Sequence, residues 1–190
     1  MNYADIVNFD TGNAKGISTT LFVSGCDMTP KCKNCHNQQA WDYCYGKEFT
    51  EEKEKEIIQS LKNPHVKYFV LTGGQPTADK NKETCLRLLS KVKEEVPEIK
   101  VILYTGKKID EIDTRFFRYC RYIIDGEYRP ELNTTMLDLR GSYNQRCWQV
   151  LCIPSEKYYV LYNLTDRYFK ETEDNSRIGE LVYIEKEERE

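Results

Sequence analysis

The chain alternates short apolar runs with amphipathic helical segments, and this order constrains the fold more than any other feature of its 190 residues. Four runs rich in β-branched and aromatic residues predict strands. Strands separated by helices favour a parallel sheet, because each parallel pair needs a long crossover connection. The predicted strands cover residues 19–24, 66–72, 100–105 and 121–125.

Helical patterns lie between these predicted strands. Thr50 is predicted to be the N-cap of a helix whose acidic first turn complements the helix dipole. Further along, apolar residues recur at helical spacing from Cys85 to Val96, and Pro97 ends the pattern. We predict a third helix over residues 110–118.

The pattern changes after Val150. The apolar runs 158–162 and 181–184 predict two more strands, separated by a polar stretch, and the charged residues 185–190 predict a solvated end. We therefore predict a core domain over residues 1–153 and a small β-rich C-terminal extension over residues 154–190. The aromatic residues of this extension could cover the core, form a docking edge or support a homodimer.

Composition and charge exclude several classes of protein. Hydrophobic residues make up 39% and charged residues 31%, which is typical of a globular domain. A net charge of -3 without a basic cluster argues against nucleic acid as a partner. The chain starts without a signal-peptide pattern, and no apolar run approaches the roughly 20 residues that cross a bilayer. We expect a cytoplasmic protein without a membrane partner.

Loops rich in cysteine, glycine or polar residues follow each of the four predicted strands. They are the segments 26–35, 73–76, 104–106 and 125–126. Ligands of parallel α/β proteins bind at the carboxyl ends of the strands. We therefore expect these four segments to converge on one site.

Cys26, Cys32 and Cys35 form the first of these loops, directly after the first predicted strand. Eight cysteines in a chain without a signal peptide indicate reduced thiols and a metal rather than disulfides. A four-iron cluster held by three thiolates leaves one iron open to a ligand.

Structural zinc is the alternative for this loop, with His36 or Cys44 as the fourth ligand. The Gly73-Gly74 pair favours the cluster, because paired glycines let backbone groups approach a ligand closely and a zinc knuckle needs no such second site. Three further cysteines fall in apolar patterns and are predicted to be plain buried residues: Cys85, Cys120 and Cys152.

Together these features resemble the radical S-adenosylmethionine enzymes, and within them the activating enzymes of anaerobic ribonucleoside-triphosphate reductase. The similarity runs from about residue 5 to residue 150, and Arg-Gly-Ser-Tyr-Asn-Gln-Arg at 140–146 discriminates best. The spacing departs from the superfamily pattern, since five rather than three residues separate Cys26 from Cys32; we expect the additional residues, including Pro30, to bulge outward. The matching segments are 21–26, 35–37 with Trp41, 73–76, 104–106, 125–126 and 140–146.

The resemblance implies an α/β fold, a partial (β/α) barrel of the radical S-adenosylmethionine type. It also implies a 4Fe-4S cluster on Cys26, Cys32 and Cys35, with S-adenosylmethionine as second cofactor and no catalytic side chain beyond the two. The implied activity is reductive cleavage of S-adenosylmethionine to a 5'-deoxyadenosyl radical, which generates a glycyl radical on the partner, an anaerobic ribonucleotide reductase. An external one-electron donor such as a flavodoxin is implied as well.

The glycine loop is implied to bind the methionyl group. Gly73 and Gly74 would present backbone groups to its ammonium, and Pro76 would stiffen the turn. Gln75 stands where this family typically has glutamate; it keeps an acceptor oxygen and loses the negative charge.

Other residues are implied to surround the cofactors. The segment Tyr104, Thr105 and Gly106 would line the adenosine side, although Tyr104 could simply end a buried strand. His36 could tune the cluster or be an exposed loop residue. Two more residues could wall the site, Asn37 and Trp41, although Trp41 could equally belong to the core.

The segment around Asn144, Gln145 and Arg146 offers several hydrogen-bond donors for a nucleotide or a partner backbone. Its alternative role is to hold a loop by a salt bridge and a cap. Two other functions remain open: a radical enzyme acting on a small molecule, similar to carboxydeazaguanine synthase, and a non-catalytic zinc-binding interaction module.

Overall fold

The structure is a computed structural model that describes residues 1–133, 139–151, 158–165 and 181–185. Within these residues, nine strands form one sheet in the order β3-β1-β2-β4-β5-β6-β7-β8-β9, with two α-helices. The strands are β1 (Asn2–Asp10), β2 (Ser18–Val23), β3 (Lys47–Glu48), β4 (Tyr68–Gly73), β5 (Lys100–Tyr104), β6 (Cys120–Asp125), β7 (Arg146–Leu151), β8 (Tyr158–Asn163) and β9 (Leu181–Glu185). The helices are α1 (Glu51–Leu61) and α2 (Asp79–Glu95).

The centre of the sheet is parallel. Strands β2, β4, β5 and β6 pair side by side in this order, with helix α1 between β2 and β4 and helix α2 between β4 and β5. All four predicted strands are confirmed, with bounds shifted by at most two residues. The expected α/β fold with a parallel core, consistent with a partial barrel, is therefore confirmed.

Antiparallel strands flank this core on both sides. On one side β1 pairs with β2 and β3 pairs with β1, and on the other side β7, β8 and β9 follow β6. Strands β1, β3 and β7 were not predicted. Apolar and polar residues are mixed in β1, β3 consists of two charged residues, and β7 follows a segment rich in polar motif residues. The two strands predicted in the C-terminal extension are present, and they continue the core sheet.

Two of the predicted helices are confirmed. Thr50 occupies the N-cap position of α1 with an extended backbone, but its hydroxyl contacts the Glu52 carboxylate at 3.2 Å instead of capping a backbone N–H. Helix α2 presents Cys85 and its apolar neighbours to the core and ends before Pro97, as predicted.

The helix predicted over residues 110–118 is wrong. Two short 3₁₀ segments, Ile109–Glu111 and Thr114–Arg118, take its place. Between them, Ile112 is extended, and the Asp113 carboxylate accepts a hydrogen bond from the backbone N–H of Arg115 at 3.0 Å. This side-chain cap starts a new turn where a continuous helix would need the chain to go on coiling.

The sheet has apolar residues on both faces. One face packs against the two α-helices and the 3₁₀ segments in the larger core, where Phe69, Leu103 and Trp148 are fully or almost fully buried. The opposite face is covered in part by the β1–β2 loop, which places Ala14 against Val70 and its apolar neighbours. Among the described residues, no helix is long and apolar enough to cross a membrane.

Candidate cluster and cofactor site

A pocket of about 360 Å³ opens where the parallel strands end. It is lined by all three cysteines of the cysteine loop and by residues that follow β4, β5 and β6. The predicted convergence of the four segments is therefore what the fold produces. Parallel strands cause it, because each strand delivers its following loop to the same edge of the sheet.

The cysteine loop is held by a short 3₁₀ helix, Gln38–Trp41. The N–H of Gly25 donates to the Ala40 carbonyl at 2.8 Å, and the N–H of Cys26 donates to the Trp41 carbonyl at 3.1 Å. Burial raises the pKa of Cys26 and of Cys32 above the ordinary thiol value. A metal that takes these sulfurs as thiolates must therefore displace their protons.

The donor set suits an iron-sulfur cluster. Cys26, Cys32 and Cys35 surround one pocket, and thiolates are the usual ligands of such clusters. In the part of the chain that the structure describes, no three cysteine, histidine or acidic side chains come close enough to hold one metal ion. A cluster needs no such convergence, because its ligands bind different iron atoms. Of the two candidates for a fourth zinc ligand, His36 lines the pocket and Cys44 is exposed outside it.

The glycine loop packs directly on the cysteine loop. Gly73 has a positive φ of 105°, and a Cβ there would lie 2.5 Å from the backbone of Val23. A Cβ on Gly74 would lie 2.4 Å from the carbonyl oxygen of Gly25. Both glycines line the pocket, while the buried Pro76 lies outside its lining. The immediate reason for the glycine pair is thus close backbone contact; its role toward a ligand stays a prediction.

Gln75 connects three segments of the site. Its Oε1 accepts a hydrogen bond from the Gly106 N–H at 3.1 Å, and its Nε2 points to the Met28 sulfur at 3.6 Å. Met28 belongs to the lengthened part of the cysteine loop and turns into the pocket, whereas its neighbours Thr29 and Pro30 are exposed, as expected of an outward bulge. The lengthened loop therefore does more than bulge outward: it also supplies Met28 to the wall of the pocket.

The ends of β5 and β6 form the opposite wall. Tyr104, Thr105 and Gly106 all line the pocket. The Tyr104 hydroxyl donates to the carbonyl oxygen of Asn13 at 3.2 Å, and its burial raises the pKa of this phenol. Thr105 shares a hydrogen bond with Thr77 at 3.0 Å.

Gly12 and Asn13, in the β1–β2 loop, also line the pocket and were not predicted. The Asp10 carboxylate accepts hydrogen bonds from the Gly12 N–H at 2.8 Å and the Asn13 amide at 2.7 Å. Burial acts to raise the pKa of Asp10, but these hydrogen bonds and that of Thr20 outweigh it, so the pKa lies below its usual value. The turn sequence Asp-Thr-Gly-Asn was the available signal.

The segment 139–146 divides into lining and supporting residues. Gln145 lines the pocket, accepts hydrogen bonds from two backbone N–H groups of the segment and donates to the Gly126 carbonyl at 3.1 Å. Asn144 and Arg146 are outside the pocket lining. Asn144 donates to the Glu127 carbonyl at 2.7 Å, and Arg146 forms an ion pair with the buried Asp125. These contacts agree with the alternative role given above for this segment, that of holding a loop in place.

Three aromatic or polar residues complete the wall beside the cysteines. His36, Asn37 and the half-buried Trp41 all line the pocket. The His36 ring packs against Tyr128, with 4.8 Å between the ring centroids. Tyr128 itself was not predicted, and no motif marked it, because its position depends on how β6 and the segment after it turn.

Comparison with known proteins agrees with this geometry. Residues 12–148 match the family described as the 4Fe-4S single cluster domain. The anaerobic ribonucleoside-triphosphate reductase-activating protein of Haemophilus influenzae is 38% identical over 150 residues, which cover 76% of this chain and 96% of that protein. The protein of the same description from Enterobacteria phage T4 is 38% identical over 149 residues, covering 78% and 94%. That of Escherichia coli K12 is 33% identical, covering 76% and 96%.

No solved structure matches the chain. The fold and the three-cysteine pocket define a single-cluster 4Fe-4S protein built on an α/β sheet. Within this class, the chain belongs to the family of anaerobic ribonucleoside-triphosphate reductase-activating proteins. The family predicted from the sequence is confirmed. The match to the cluster domain ends at residue 148, before β8 and β9.

Proposed function

We propose that this chain activates an anaerobic ribonucleoside-triphosphate reductase by generating a glycyl radical on it. The observation that carries the proposal is the meeting of three cysteines with a glycine loop in one pocket, in a chain of this family. The cluster and S-adenosylmethionine, when bound, supply a reductively formed 5'-deoxyadenosyl radical. The protein has to hold both groups, keep their relative position and limit the access of water.

The chain's own residues suit these tasks. Cys26, Cys32 and Cys35 would hold the cluster. The backbone of Gly73 and Gly74 and the segment 104–106 would hold S-adenosylmethionine, and Gln75 stands between them. Beneath this wall the sheet presents apolar side chains, which keep water out of the interior.

The size of the pocket supports a macromolecular substrate. Its volume of about 360 Å³ is at the lower end of the range for small-molecule sites, roughly 300–1,000 Å³. A cluster and S-adenosylmethionine together would leave little of it for a further small substrate. A polypeptide loop presented at the mouth needs no additional cavity, which favours activation of a protein over the small-molecule alternative.

The test is 5'-deoxyadenosine formation by anaerobically reconstituted, dithionite-reduced protein, followed by electron paramagnetic resonance of an added anaerobic reductase. We expect iron-dependent product and a glycyl radical on the reductase. Cys32→Ala should abolish both signals, and Cys85→Ala, a buried cysteine of the helix face, serves as the matched control. A protein that binds zinc, stays colourless and yields no product would contradict the proposal.

Four further expectations belong to the same proposal. The electron donor would be an external one-electron carrier such as a flavodoxin, and the protein would act in the cytoplasm, which the unpaired thiols of the three cluster cysteines support. Residues 1–153 would form the catalytic domain and residues 154–190 its extension. Strand β9, the last of the described strands in the sheet, could support a homodimer, and the molecular mass in solution would decide this.

A further inference from the structure

Asn81 is a buried amide that touches both loops of the site without lining the pocket. It lies in the first turn of α2 and is 1% exposed. Its Nδ2 is 3.0 Å from the Ser24 carbonyl oxygen, 3.2 Å from that of Gly25 and 3.0 Å from that of Gln75. No motif in the sequence marked this residue.

The three acceptors belong to two different parts of the site. Ser24 and Gly25 directly precede Cys26, while Gln75 directly follows the glycine pair. One side-chain amide group carries two hydrogens, so three carbonyl oxygens must share them. Such an arrangement holds the three carbonyls at a common distance from one atom.

Backbone contacts between the two loops are few and depend on the same geometry. The N–H of Gly74 donates to the Val23 carbonyl at 2.7 Å, and the N–H of Gln75 donates to the Gly25 carbonyl at 2.7 Å. The carbonyl of Gly25 therefore accepts from Gln75 and from Asn81 together. The carbonyl of Gln75 likewise accepts from the Ala78 N–H at 3.1 Å. Loss of the Asn81 amide would therefore remove the donor that the Ser24 carbonyl shares with these two, take one donor from each of the others, and loosen the contact between the two loops.

We propose that Asn81 is a positioning residue that fixes the cysteine loop against the glycine loop. For the identity of the two bound groups, the inference rests on the proposed function: the cysteine loop would hold the cluster and the glycine loop S-adenosylmethionine. Asn81 then sets the separation of the two groups through the backbone, and it contacts neither of them. If the two loops could shift relative to each other, S-adenosylmethionine would bind more weakly, although the cysteine ligands would still be present.

Amide hydrogen exchange of the chain without cofactors tests the structural part. In Asn81→Ala, we expect the N–H groups of Gly74 and Gln75 to exchange at least about ten times faster than in the parent protein. Thr19→Val is the matched control, because it removes the side-chain hydrogen bond between the buried Thr19 and Ser60, at 2.7 Å and at the other end of β2. It should leave exchange at Gly74 and Gln75 unchanged.

The functional part is tested on reconstituted protein by S-adenosylmethionine titration, followed by the spectral change of the reduced cluster. Asn81→Ala should bind about ten times more weakly, with the parent's iron content. Asn81→Ser keeps one hydrogen-bond donor, so its affinity and its exchange rates should lie between those of the parent and of Asn81→Ala. If the alanine variant does not fold, both experiments are done with Asn81→Ser. Parent-like exchange at Gly74 and Gln75 in either variant would overturn the proposal, as would parent-like affinity. If even the parent protein shows no response to S-adenosylmethionine, the proposed function fails, and the exchange rates still decide the role of Asn81.

Discussion

Replacing Gly74 with alanine should separate the two loops of the site. A Cβ at this position would lie 2.4 Å from the Gly25 carbonyl oxygen and 2.6 Å from that of Ala40, whereas ordinary contact begins at 3.4 Å. Each oxygen would have to retreat by about 0.8–1.0 Å, and in a close-packed interior such a shift displaces neighbouring atoms. Gly25 packs against the ring of Tyr43, and Ala40 is fully buried.

The expected cost has two parts. Overpacking of a tight site costs typically 1–3 kcal/mol, and the displaced Ala40 carbonyl would lose its bond from the Gly25 N–H, worth about 1 kcal/mol. Gly74→Ala should therefore lower the free energy of unfolding by about 2–4 kcal/mol. For a chain of this length, that corresponds to roughly 6–12 °C in the melting temperature.

Urea and thermal unfolding of the protein without cofactors measure this change. Gly12→Ala is the matched control, because Gly12 also lines the pocket but a Cβ there would meet its nearest neighbour at 3.4 Å. We expect the control to stay within about 0.5 kcal/mol of the parent. If Gly74→Ala were as stable as Gly12→Ala, the glycine would not be required for contact between the loops, and the reasoning would be wrong.

Three other predictions follow from single contacts. Gln75→Glu should destabilise the protein without cofactors, because it buries a carboxylate. The same variant should bind S-adenosylmethionine more tightly. Unchanged affinity in a titration would show that this side chain does not contact the methionyl ammonium. Asp10→Asn should lower the free energy of unfolding at pH 7, because the pKa of Asp10 is lowered in the folded protein. This loss of stability should shrink as the pH falls below the ordinary carboxyl pKa of 3.8. Urea unfolding that showed the same loss at every pH would contradict the prediction. Maleimide should label the exposed Cys44 in the folded protein at neutral pH. It should not label Cys85, whose pKa burial raises to about 12, or the buried Cys120. If mass spectrometry found label on Cys85 in protein that had never been unfolded, its burial would be refuted.

The parallel core was predictable because its signal is local. Strands β4, β5 and β6 are apolar on both faces, since helices or loops cover both sides of a parallel sheet, and β2 adds Leu21 and Val23 to the larger core. Strand β1 escaped prediction for the opposite reason. It lies toward one side of the sheet, Tyr3 is its one buried residue, and its other residues are half-buried or exposed.

The roles within segment 139–146 were not predictable from composition. Asn144, Gln145 and Arg146 are consecutive polar residues with similar capacity to donate hydrogen bonds. In the structure, Gln145 lines the pocket, whereas Arg146, the first residue of β7, pairs with the carboxylate of Asp125 at the end of β6. Sequence spacing carries no information on such a choice.

The sequence by itself determined the family, the parallel α/β core and the set of cysteine and glycine loops, because residue type, period and order specify them. The tertiary structure decided which backbone atoms those loops share. Contacts such as that of Asn81 with Ser24 join residues far apart in the chain, at distances that depend on the packing of α2 against the sheet. The entry of Met28 into the pocket has the same origin, since the residues it meets, Gln75 and Gly106, arrive from two other strands.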